Sequence, residues 1–92
     1  MPKKVRDVSG ALKRKGFLEE MRDHRYYVFY RGGKKTSINT KISHGETEIG
    51  DGLLGKMARQ MHLSRLEFDS FVECTLSEEK YTKKMIEKKV LE

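Results

Sequence analysis

Arg31-Gly32-Gly33-Lys34 separates two stretches whose side chains suit strands and little else. Tyr26 to Tyr30 is aromatic or β-branched at every position, the composition of a strand. After the glycines, Thr36, Ile38, Thr40 and Ile42 alternate with Ser37, Asn39 and Lys41, the period-two pattern of a half-buried strand. Both glycines can take the positive φ that a tight hairpin turn needs. An isolated hairpin is barely stable in water, so the rest of the chain must supply another strand and a covering layer. Phe17-Leu18 opens that strand, which runs to about Met21. Alternation leaves two choices for the buried face, Tyr27 and Phe29 or Tyr26, Val28 and Tyr30; we place Tyr27, Phe29 and Ile38 toward the core. His24 then shares the opposite face with Tyr26.

Val5, Val8 and Leu12 fall at helical spacing and predict a helix over 3–15, ended by Gly16. Lys13, Arg14 and Lys15 suit the negative C-terminal end of that helix. Residues 43–52, punctuated by Gly45, Gly50 and Gly52, read as a loop. Leu53, Leu54, Met57 and Met61 then predict a helix with an apolar stripe, leaving Lys56 and Arg59 off it. Ser64 and Glu67 form a capping box, with Leu63 and Phe68 as a hydrophobic staple. That helix carries Leu66, Phe71 and Cys74, the cysteine read as a small buried residue. Ser77, followed by Glu78 and Glu79 and flanked by Leu76 and Tyr81, repeats the device for a last helix to about Val90. Leu66, Phe71, Tyr81 and Ile86 are expected to be buried. The order predicts an α+β fold: helix, three-stranded antiparallel sheet and helix in two layers, plus two C-terminal helices.

At 92 residues the chain makes one small domain. With 36% apolar and 37% charged residues, its core must be small and its surface heavily charged. No run approaches the length of a membrane span. A lone cysteine, Cys74, leaves no partner for an internal disulfide and suits the reducing cytoplasm. His24, His44 and His62 make no metal-ligand spacing with Cys74, so no metal is expected. Gly50-Asp51-Gly52 lacks the pattern of a phosphate-binding loop, and no cofactor is expected.

The charge is uneven. Residues 1–41 hold twelve Lys and Arg against four Asp and Glu, a net of +8. Residues 42–92 hold eight against ten, a net of −2. Such asymmetry points to a polyanionic partner, and for a small basic domain to nucleic acid. Inside the basic part, His24 stands at the mouth of the aromatic strand. Histidine titrates nearest neutrality and is the natural general acid or base. His44 supplies a second histidine ahead of a helix N-terminus.

Gly16-Phe17, His24 before its aromatic strand, and the ungapped series His44, Glu48-Ile49, Gly52, Leu54, Met57, Arg59-Gln60 and Leu63-Ser64 together resemble the HicA family of toxin ribonucleases. The resemblance divides the chain into 1–66, a HicA-like domain with the fold of double-stranded-RNA-binding domains, and 67–92, a helical extension packed on it. It implies metal-independent cleavage of mRNA and a HicB-like antitoxin protein as partner. The family's active histidine sits in a Gly-Ser-His-His pattern. Here His24 matches the first histidine, while Arg22, Asp23 and Arg25 stand at the other three positions. His24 is then the general base, and His44 a second catalytic or loop-anchoring residue. Arg25, Lys34, Lys35, Lys41 and Lys56 are candidates to hold the RNA backbone, and Tyr26 to stack a base. Two other readings of the same residues are a non-cleaving RNA-binding domain and a basic module that binds an acidic protein.

The charge distribution makes a first prediction. Each neutralised phosphate releases counterions, so RNA affinity should fall steeply as salt is raised. Binding to single- and double-stranded RNA at two salt concentrations checks it; absent or salt-insensitive binding would favour the protein-interaction module.

Overall fold

The structure, a computed structural model, describes residues 2–43, 45, 47–73 and 75–91. Strand β1 (Lys3–Lys4) leads into helix α1 (Val5–Arg14) and then strands β2 (Phe17–Met21), β3 (Arg25–Arg31) and β4 (Lys34–Ile42). After β5 (Glu48–Ile49) come helices α2 (Asp51–Gln60), α3 (Arg65–Val72) and α4 (Glu78–Glu87). β2, β3 and β4 form an antiparallel meander, and β1 pairs with β5 in a separate two-stranded ladder. The fold is α+β, a three-stranded antiparallel sheet packed against helices, with further C-terminal helices. Among the described residues no helix is long and apolar enough to cross a membrane.

Several boundaries differ from the expected ones. The first helix begins at Val5 because Lys3 and Lys4 are extended, paired with Ile49 and Glu48. Val5 N–H donates to Thr47 C=O at 3.0 Å, which fixes the start of α1 to the same ladder. The expected loop over 43–52 therefore contains a strand, and α2 starts at Asp51, ahead of Leu53. α4 stops at Glu87, short of Val90, and Lys89 has φ +61°. Two-residue strands carry no readable periodicity, which is why composition does not betray them.

Strand alternation puts Phe17 on β2, Tyr27 and Phe29 on β3, and Ile38, Thr40 and Ile42 on β4 toward the helices. Tyr27, Phe29 and Ile38 are buried, as expected. Phe68, Phe71, Tyr81 and Met85 from the last two helices join the same apolar cluster. Its centre is aromatic. The Phe17 ring lies 5.0 Å from Phe29, 5.9 Å from Phe71 and 5.8 Å from Tyr81, in tilted or edge-on arrangements that aromatic quadrupoles favour. Tyr81 O–H donates to Met61 C=O at 2.9 Å, and burial pushes its pKa well above the usual phenol value.

Two expected core residues lie outside. Leu66 is 80% exposed and Ile86 39% exposed. Helical geometry explains both. Leu66 lies two residues from Phe68, on the far side of α3, whereas Phe71 follows Phe68 at i+3. Met85 follows Tyr81 at i+4 and takes the inward position, turning Ile86 outward. The expectation for Cys74 falls outside the described residues.

Lys15 also departs from its expected role. It is buried, and its ammonium serves another helix: Nζ donates to Phe71 C=O and, at 2.7 Å, to Leu76 C=O, while lying 4.7 Å from the centre of the Phe71 ring. Gly16, next along, has φ +94°, and a Cβ there would stand 2.7 Å from a Glu78 carboxylate oxygen and 3.0 Å from the Phe29 ring. The backbone conformation requires glycine, and the buried Phe29 ring leaves little room for a side chain.

The capping box is complete. Ser64 Oγ accepts from Glu67 N–H at 3.1 Å and Glu67 Oε1 accepts from Ser64 N–H at 2.9 Å. Glu67 Oε2 also takes Lys84 Nζ at 2.8 Å, tying α4 to the start of α3. The Lys84 hydrogen bond, then the Ser64 N–H, hold the Glu67 carboxyl at about 2, against 4.5 in the unfolded chain. The folded value is the lower one, so this stabilisation is complete above about pH 4.5 and fades as pH falls toward 2. Glu67→Gln should cost about 1–2 kcal/mol at neutral pH, after discounting for partial solvent screening. Urea unfolding at neutral pH and near pH 2 checks this; a deficit that persists at the acid end counts against it.

Candidate nucleic-acid interface

β2, β3 and β4 present opposite faces to the helices and to solvent, and the register assigns each side chain. Across the outer face, Glu20, Tyr26 and Lys41 form one cross-strand row and Leu18, Val28 and Asn39 the next, while Tyr30 pairs with Lys35. None of the described helices packs on this face. Leu18 is 54% exposed there, and Tyr26 and Tyr30 are half-buried. The tyrosines stand on one side because they are two and four residues apart from Val28 and each other along a strand.

His24 lies in the turn that joins β2 to β3, not in the strand itself. Arg22 N–H donates to His24 C=O at 3.0 Å and closes the turn. The half-buried His24 ring sits 6.3 Å from the Tyr26 ring, tilted by 58°. Asp23, beside it, is exposed, though some loss of hydration pushes its carboxyl up. Hydrogen bonds from the backbone N–H groups of His24 and Asp23 outweigh that and hold it below the usual range.

Of the expected site residues, the structure brings His24, Tyr26, Lys35 and Lys41 to the outer face. Lys34 pairs with Arg31 at the far end of the hairpin, on the other side of the sheet. Lys56 is exposed on α2, in the helical layer behind the sheet. His44 lies outside the described residues. Arg25, adjacent to Tyr26, points to the opposite face by strand alternation. Its guanidinium donates to Glu19 Oε2 at 3.3 and 3.2 Å and to Tyr27 Oη at 2.9 Å.

That inner-face network is tightly knit. Tyr27 O–H donates to Glu19 Oε2 at 2.6 Å, Ser9 Oγ lies 2.9 Å from Tyr27 Oη, and Lys13 Nζ lies 3.4 Å from Glu19 Oε1. The Tyr27 hydrogen bond first, then those from Arg25 and Lys13, hold the Glu19 carboxyl below its usual value despite partial burial. Burial and the Glu19 carboxylate push the Tyr27 hydroxyl up. A carboxylate so fully supplied with donors is a weak base, which suits Glu19 to structure rather than proton transfer.

Two outer-face residues escaped the sequence reading. The Arg22 guanidinium lies over the Tyr26 ring, 4.3 Å from its centre. Glu20 pairs with Arg22 at 3.1 Å and with Lys35 at 3.2 Å. Alternation along Leu18, Glu20 and Arg22 was the available signal. Among the described residues no group of three or more His, Cys, Asp or Glu converges as a metal site.

No family model, curated protein or solved structure matches the chain.

The two faces should respond differently to substitution. Arg25→Ala removes donors from Glu19 and Tyr27 and should cost about 1–3 kcal/mol. Lys41→Ala, at an exposed outer position, should stay within about 0.5 kcal/mol. Denaturant unfolding of the pair checks the assignment; equal losses would contradict it.

Proposed function

We propose that this chain binds RNA on the open face of the β2–β3–β4 sheet and cleaves it as a HicA-like ribonuclease of a toxin–antitoxin pair. The observation that carries this reading is the position of His24 beside Tyr26 on the sheet face that no described helix covers, with Lys41 across from Tyr26. In the proposed reaction, His24 takes the proton of a ribose 2′-hydroxyl. The freed oxygen attacks the neighbouring phosphate and displaces the 5′-oxygen of the next ribose, which leaves as a hydroxyl by taking a proton from water, and a 2′,3′-cyclic phosphate remains. Cations at Lys41, Lys35 and Arg22 offset the charge that builds on phosphorus-bound oxygens. Tyr26 stacks a base once Arg22 moves aside. The partner implied is a HicB-like antitoxin in the same cytoplasm, and a neighbouring gene for such a protein would support the pairing.

A second reading, RNA binding without cleavage, has its own supporting observation. Arg25 is turned away to Glu19, and Asp23 places a carboxylate at the His24 backbone. The cation that directly follows His24 in sequence is thus absent from its side of the sheet.

His24→Ala separates the two. A general base lost should lower cleavage by roughly 10²–10⁴-fold, with affinity nearly unchanged, because phosphate affinity comes from Lys and Arg. Cleavage should survive EDTA, and expression of the wild type but not of His24→Ala should slow growth. A wild type that binds RNA and never cuts it would falsify the ribonuclease and leave the binding domain.

A further inference from the structure

Glu20 is held as a phosphate would be. One carboxylate oxygen takes Arg22 Nη2 at 3.1 Å and the other takes Lys35 Nζ at 3.2 Å. Lys35 lies on β4 and Glu20 on β2, so this ion pair spans the outer face of β3. Val28 lies on that face of β3, outside the main apolar cluster, and is only 2% exposed. The pair thus links the two edge strands across a sheet face that no described helix covers. Arg22 covers the Tyr26 ring at the same time, and Tyr26 is the direct cross-strand neighbour of Glu20. Two cations on two oxygens of one anion, beside an aromatic ring, are the parts that seat one nucleotide: its phosphate on the cations and its base on the ring.

We propose that Arg22, Lys35 and Tyr26 form a nucleotide seat for single-stranded RNA, and that Glu20 closes it in the free protein by standing in for the backbone phosphate. The idea rests on the RNA-binding reading above and adds the form of RNA and a built-in competitor. Arg22 and Lys35 are each 55% exposed at the side chain, and ion pairs at such positions are weak. An incoming phosphate offers the same cations a full charge with release of counterions, and its base takes the ring face that Arg22 vacates. A duplex cannot use the seat in this way, because its bases are not splayed out to stack on tyrosine.

The test compares a short labelled oligouridine binding to wild type, Glu20→Gln and Glu79→Gln by fluorescence anisotropy. Glu79 is exposed on α4, and its substitution changes net charge by the same amount. Glu20→Gln should bind about three- to tenfold more tightly, the worth of one or two exposed ion pairs that need no longer be broken. Glu79→Gln should not, and Tyr26→Leu added to Glu20→Gln should remove the gain. Unchanged or weaker binding by Glu20→Gln, or an equal gain in Glu79→Gln or with duplex RNA, overturns the seat while RNA binding stands. Absence of binding by every variant overturns both readings. The Arg22 Nε–H resonance of the wild type gives a readout free of substitutions: it must shift when oligouridine is added, and a static resonance overturns the proposal.

Discussion

A buried ammonium holds the molecule's layers in place. Lys15 follows α1 directly and reaches the carbonyls of Phe71 and Leu76, at the end of α3 and just ahead of α4. Helix ends leave carbonyls without partners, and a lysine out of water needs acceptors, so each side resolves the other's deficit. The Phe71 ring adds its negative face to the cation. By fixing the corner between α3 and α4, Lys15 sets Tyr81 against Phe17 and Phe29. All the described helices then collect on one side of the meander, and the other side is left to solvent.

That asymmetry gives adjacent residues of β2 opposite jobs. Glu19 turns inward and gathers Tyr27, Arg25 and Lys13 into a network that binds α1 to the sheet. Glu20 turns outward and gathers Arg22 and Lys35. Each carboxylate holds two cations, so the hairpin keeps a positive surplus on both faces. Only the outer one combines that surplus with reachable aromatic rings.

Much of the scaffold was legible because its signals are local. Gly32-Gly33, the alternation from Thr36 to Ile42, and the Ser64 and Ser77 caps each depend on a few neighbouring residues, and each element is present. Alternation offers two faces for β3, and burial falls on the one with Tyr27 and Phe29, opposite Ile38's neighbours Ser37 and Asn39. What escaped depends on distant partners. Lys3–Lys4 become a strand only because Glu48–Ile49 arrive beside them. Lys15 resembles any basic helix end until Phe71 and Leu76 meet it. Leu66 and Ile86 are apolar, but the helical turn from Phe68 and Tyr81 carries them to the outer side of their helices. In the candidate site, alternation turns Arg25 to the face of Tyr27 and away from Tyr26, and the same alternation brings Glu20 and Arg22 to the outer face.

The aromatic centre has a consequence for how the chain is made. All three strands of the meander precede residue 43, but Phe71 and Tyr81, which cover Phe17 and Phe29, come from the last two helices. A chain leaving the ribosome folds from its N-terminal end. The hairpins can therefore pair while the part of the apolar sheet face that α3 and α4 cover is still wet. Such a nascent intermediate is what chaperones hold and what aggregates when they do not. Ribosomes stalled between α2 and α4 would release sticky fragments, so the last two helices set the moment at which the newborn chain becomes safe to let go.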